Sequence, residues 1–143
     1  MLLSEIIQFI KQTQKEKGKQ VFPWSDDALG QYLAWAFSKD YLFLESDENG
    51  LAGLLIVYPV DKVKDMKVNE LLPTDKEFSK EAENTADLVI MDGIFKTNKA
   101  RKTITNKFMQ RFSNWKNQKK WAMRKLMPTE LNNKYIELVG GLN

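Results

Sequence analysis

Two carboxylates and one run of cations and threonines are the places where this sequence could do chemistry. Asp92 lies near the end of the apolar run 86–95, and Glu45 follows the apolar run 41–44. Either could serve as a general base, or sit in solvent or beside a lysine. Lys99, Arg101, Lys102, Thr103 and Thr105 bring cationic and hydroxyl donors of the kind that hold a phosphate. The chain has no His and no Cys. That removes the commonest general base and excludes Ser-His-Asp and Cys-His nucleophiles, disulfides and thiolate metal sites. Acid–base chemistry is left to Asp, Glu, Lys, Tyr or ordered water, and no metal is expected.

The net charge is only +3, but it is unevenly spread. No acid occurs between Gly93 and Thr129, where Lys96, Lys99, Arg101, Lys102, Lys107, Arg111, Lys116, Lys119, Lys120, Arg124 and Lys125 fall. The stretch 61–87 is rich in acid. Such asymmetry suggests an anionic partner for residues 96–125, nucleic acid among them, or a solvated face balanced by acids elsewhere in the fold. Trp24, Trp35, Trp115 and Trp121 could stack on a ligand, pack the core or anchor an interface.

The elements that must position these residues fit one domain, residues 1–143. Leu2, Leu3, Ile6, Ile7, Phe9 and Ile10 predict a first helix ending near Lys17. Ser25 caps a second, with Leu29, Tyr32, Leu33, Ala36 and Phe37 as its apolar face. Residues 41–44 and 51–58 make a hairpin across the Asn49-Gly50 turn, and Pro59 is expected to end the second strand. A weakly patterned short helix falls around 76–83, and a single central strand over 86–95. A helix from Ala100 to Trp115 follows, then a strand at 121–124. Pro128 and Thr129 are expected to open a last helix that Gly140-Gly141 stops. The class is α/β of the α+β kind, with helices flanking a mixed, mainly antiparallel sheet.

This order resembles the GNAT-type N-acetyltransferase fold over about residues 25–142. That family carries Arg/Gln-x-x-Gly-x-Gly/Ala at the start of its coenzyme-binding helix, followed by a Leu pair. Here Ala100 takes the Arg/Gln position, Thr103 and Thr105 the glycine positions, and Ile104 the aliphatic one. Phe108 and Met109 take the pair, and Phe95 the preceding strand end. Residues 132–141 resemble the family's last helix, with Ile136 at the position of its frequent proton-donating Tyr and Tyr135 beside it. The family's opening strand and its two closing strands have no counterpart in the pattern.

The resemblance implies acetyl-coenzyme A as cofactor, an amine substrate, and Asp92 or Glu45 as the base. It places the coenzyme on Phe95, Lys99, Arg101, Lys102, Thr103, Ile104 and Thr105. Glycine serves such loops because backbone N–H groups approach the pyrophosphate with no Cβ in the way, and threonine adds a branched side chain there. The substitutions favour a second class, a non-catalytic member of the fold that acts through contacts with a partner protein or itself. Small members of that kind occur among phage and other viral proteins. No apolar run approaches the roughly 18 residues of a membrane span. The first residues lack the basic start of a signal peptide, so the expected location is the cytoplasm, or the virion for a phage protein.

Overall fold

The computed structural model describes residues 3–17, 25–61, 77–90, 93–124 and 127–141. Helix α1 (Leu3–Lys17) buries Ile6, Phe9 and Ile10, the stripe its spacing predicts. Helix α2 (Asp26–Ser38) starts where the Ala28 amide donates to Ser25 Oγ at 3.3 Å. Such a cap contributes about 1 kcal/mol. Leu29, Tyr32, Leu33 and Ala36 are buried as expected, but Phe37 is 69% exposed. Successive residues stand about 100° apart on a helix. A face centred on Leu33 and Ala36 therefore turns Phe37 to the rim.

Strands β1 (Leu42–Asp47) and β2 (Gly50–Val60) form the expected hairpin. Asp47 Oδ1 accepts the Asn49 amide at 2.8 Å, and Gly50 takes φ +107°, where a side chain would be strained. Pro59 does not end β2; it pairs with Leu88 inside it. The Val57 amide donates to the Tyr41 carbonyl. By alternation, position 59 directs its backbone groups to that same side, beyond the start of β1. Proline's missing N–H costs no ladder bond there.

Helix α3 (Lys80–Thr85), capped by Ser79, is the short helix expected around 76–83. The expected strand 86–95 is two strands, β3 (Asp87–Ile90) and β4 (Ile94–Phe95), with residues 91–92 outside the described residues. Helix α4 (Asn98–Arg111) begins at the Thr97 cap and stops short of Trp115. Phe112 leaves helical geometry at ψ 72°, and Trp115–Asn117 form a 3-10 turn that buries Trp115. Strand β5 (Lys120–Arg124) matches expectation. Residues expected to begin the last helix instead form strand β6 (Met127–Leu131), which is paired antiparallel to β5. Pro128 is tolerated because β6 is an edge strand. The cap of helix α5 (Asn133–Val139) is Asn132, not Thr129, and it accepts the Tyr135 amide at 2.8 Å.

Among the described residues the sheet is open, six-stranded and mainly antiparallel, in the order β1-β2-β3-β5-β6 with β4 also paired to β2. This is an α+β fold. Tyr58 of β2 packs edge-on to Tyr32 and Trp35 of α2, so α1 and α2 cover one face. Gly53 of β2 meets α4 on the other, where an added Cβ would lie 2.7 Å from Ile104 Cδ1. Strand β2, buried from Ala52 to Pro59, is the centre of the core.

Candidate functional site

Strands β3 and β5 run parallel with α4 between them in sequence, and among the described residues they pair from Leu88↔Lys120 to Ile90↔Ala122. Strand β4, which follows, pairs with β2 and, among the described residues, not with β5. On β2, three steps separate the partners of Ile90 and Ile94, Val57 and Leu54, whereas four separate Ile90 from Ile94. The register against β2 therefore changes by one residue between Ile90 and Ile94, and the space between β4 and β5 forms a fork. A cavity of about 140 Å³ lies there, lined among others by Leu55, Gly93, Phe95, Thr105, Tyr135 and Ile136. Gly93 is needed, because a Cβ would fall 2.5 Å from the Phe95 ring. A crevice at the carboxyl ends of parallel strands is where open α/β sheets take ligands. The described lining is apolar apart from Thr105 and Tyr135. The Thr105 hydroxyl donates to the Arg101 carbonyl at 2.8 Å, so its proton already has an acceptor.

The sequence-predicted site residues are divided among several surroundings. Phe95 and Thr105 meet in the fork. Ile104 is fully buried against Gly53, in the core. Glu45 and Lys99 line a different depression of about 430 Å³, together with Asp47, Glu48 and Thr97. Glu45 is paired there with Lys107 at 3.3 Å. Lys102 lays its stem over Gly141, whose hypothetical Cβ would be 2.9 Å from Lys102 Cδ. Thr103 is half-buried, and Arg101 is half-buried with its Nε unpartnered among the described residues. Asp92 and Trp24 lie outside the described residues.

Much of the basic stretch serves the fold. Arg111 donates to both oxygens of Glu83 and, at 3.2 Å, to the Lys39 carbonyl. Its guanidinium also stands 4.6 Å over the Phe112 ring. Hydrogen bonding to Glu83 holds it above the ordinary arginine range. Lys107 reaches round the edge of β1 to the Leu44 carbonyl at 2.9 Å. Lys120 is only 3% exposed. It donates to the carbonyls of Trp115 at 2.7 Å and Gln118 at 2.6 Å, and to Asn133 Oδ1. Burial pushes its pKa below the usual lysine value, against a smaller opposing pull from Glu130. Trp115 is buried, and Trp121 Nε1 donates to Asp87 at 3.0 Å. Exposed cations remain at Lys96, Lys99, Lys102, Lys116 and Lys119.

Residue-by-residue reading missed two features. The first is the Glu83–Arg111 pair, for which the opposite charge of stretches 61–87 and 96–125 was the available signal. The second is an apolar groove of about 250 Å³ between α1, α2 and β1, lined by Leu3, Leu33, Phe37, Leu42 and Leu44 among others. Leu3 is 40% exposed at its lip, beside the far more open Phe37. Among the described residues, no helix is long and apolar enough to cross a membrane. Nor, among them, could any group of three or more His, Cys, Asp or Glu hold a metal ion. Comparison with protein-family models, with curated proteins and with solved structures returns no match.

Proposed function

We propose that this chain is an N-acetyltransferase-like domain that works by contact with another protein chain rather than by turnover. The observation that carries this reading is the apolar groove between α1, α2 and β1, with Phe37 69% exposed on its rim. Exposed apolar surface rimming a groove marks interaction sites, and aromatic anchors dominate their energetics. The occupant is an amphipathic helix of the partner rather than an added strand. In β1 the backbone groups of Leu44 face the open edge, and Lys107 already covers that carbonyl. A cytoplasmic or virion setting travels with this reading.

Photo-crosslinking from position 37, with sedimentation at rising protein concentration, tests the proposal. A crosslinked partner helix, or a second copy, is the expected product. Phe37→Ser should abolish association in sedimentation while the far-ultraviolet spectrum stays the same. Association that survives Phe37→Ser unchanged overturns the reading.

A second reading, an acetyl-coenzyme A-dependent N-acetyltransferase, is favoured by the fork between β4 and β5. Its apolar volume suits an acyl end. The first turns of α4 do not suit the backbone-to-phosphate mode, because Thr103 and Thr105 stand at the glycine positions and the Thr105 proton is engaged. Phosphates would depend on Lys99 and Lys102 side chains, so affinity should be weak and fall with salt. Thiol release from acetyl-coenzyme A that vanishes in Asp92→Asn would establish this reading instead.

A further inference from the structure

Of the described helices, α3 is the one that buries none of its own residues. The described bonds that tie it to the rest of the fold are polar. Gln118 Nε2 donates to the carbonyls of Glu83 at 2.7 Å and Ala86 at 2.8 Å, and Asn114 Nδ2 to that of Asn84 at 2.8 Å. Arg111 grips both Glu83 oxygens, and the Tyr41 hydroxyl meets the same carboxylate at 3.5 Å. Just ahead of the helix, Glu77 pairs with Lys39, and Phe78 is half-buried.

What lies beneath is built independently of α3. The Tyr41 and Phe112 rings stack at 6.2 Å, and both are buried. Trp35 braces Tyr41 at 5.4 Å, while Phe43 and Phe108 brace Phe112 at 6.4 and 5.8 Å. These props come from α2, β1 and α4, so the aromatic floor keeps its shape whether α3 is present or not. An element held by few apolar contacts opens locally at far lower cost than the whole domain. Its catch is an ion pair with side chains 28% and 15% exposed, so salt screens it only in part.

We propose that α3 is a charge-latched strap, which lifts from the Tyr41–Phe112 floor as a unit when the Glu83–Arg111 catch releases, while the sheet and α4 stay folded. Lifting frees the Arg111 guanidinium over two stacked rings. The charged groups around the catch are Arg111 of α4, Lys39 and Asp40 of the α2–β1 turn, and Glu77 before α3.

Amide hydrogen exchange on the whole chain tests this, read as the rate at residues 82–86 relative to β2 and α4. The strap amides should exchange well before those of β2 and α4. Glu83→Gln should speed them about tenfold, the equivalent of about 1.4 kcal/mol, and raising salt should act in the same direction but less, with β2 and α4 unchanged. Glu77→Gln should act in the same direction but less. Two outcomes overturn the strap. One is exchange at 82–86 that occurs only together with β2 and α4. The other is a relative rate that neither salt nor Glu83→Gln moves.

Discussion

The two sides of β2 are held by different physics. Toward β1, the sheet is sandwiched between apolar side chains. Leu54, Ile56 and Tyr58 meet α1 and α2, while Leu55, Val57 and Phe43 meet α4, all of them buried. Toward β3 and β5, buried apolar side chains such as Leu88 and Val89 are joined by side chains that reach backbone carbonyls and the Glu83 carboxylate. Gln118 and Asn114 hold the end of α3, Lys120 holds the 3-10 turn, and Arg111 holds Glu83. Apolar packing is non-directional and tolerates small shifts. Donor-to-carbonyl stitching is directional, and it leaves unpaired groups when one partner goes. The first side therefore makes the stable frame, and the second makes a part of the molecule that can give.

The largest expected effect would break this contrast outright if it failed. Phe108 is 1% exposed and touches Phe112 and Trp115. Phe108→Ala should destabilise by about 3–5 kcal/mol, measured by urea unfolding. On the stitched side, Lys120→Met keeps the volume of the stem but leaves the Gln118 carbonyl and Asn133 Oδ1 without the lysine donor, and the Trp115 carbonyl with the Gln118 amide alone. Its expected cost is about 2 kcal/mol. If Lys120→Met costs as much as Phe108→Ala, the two sides are not held differently in the sense argued here.

The same contrast explains which parts of the fold could be read in advance. Helices α1 and α2 and the hairpin follow from local signals: apolar spacing, Ser25 as cap, Asn49-Gly50 as turn. Strand β6 was misread as helix because Pro128 and Thr129 are local helix-start signals, whereas the pairing with β5 that decides the matter is tertiary. The break between β3 and β4 is a register change against β2, which no run of apolar letters displays. At the candidate site, Phe95 and Thr105, which the resemblance groups together, line one cavity. Spacing does not show that Lys99 shares a depression with Glu45, or that Arg111 is taken by Glu83 28 residues away.

Alkaline pH offers a smaller effect that sharpens the comparison, because three tyrosines sit on the packed side. Burial, with Glu83 adding to it, pushes Tyr41 from 10.0 up to about 12. Burial also raises Tyr32 and Tyr58. Below pH 10 the phenols are neutral in both the folded and the unfolded chain, so their contribution is fully present. Between 10 and 12 the unfolded chain loses the Tyr41 proton and the folded chain keeps it, so stability should fall across that window. Tyr41→Phe should flatten the fall without removing it, since Tyr32 and Tyr58 remain. Chemical denaturation at a series of pH values reads this directly. A melting point that rises over this window would contradict the burial of these rings.

The smallest effect separates folding from function within one groove. Leu33 and Phe37 both line it, yet Leu33 is 0% exposed and Phe37 is 69% exposed. Leu33→Ala should cost about 2–5 kcal/mol, as buried leucines do. Phe37→Ser removes a ring that lies mostly in water, so stability should stay within about 0.5 kcal/mol of the parent. Were Phe37 part of the core, its loss would lower the unfolding midpoint as Leu33→Ala does. Were it merely a solvated side chain, its loss would change nothing at all. A helix-binding groove demands a third pattern: an unchanged midpoint with association abolished. Measuring the urea midpoint and the sedimentation behaviour of the same Phe37→Ser preparation distinguishes the three, because each pairs stability with association differently.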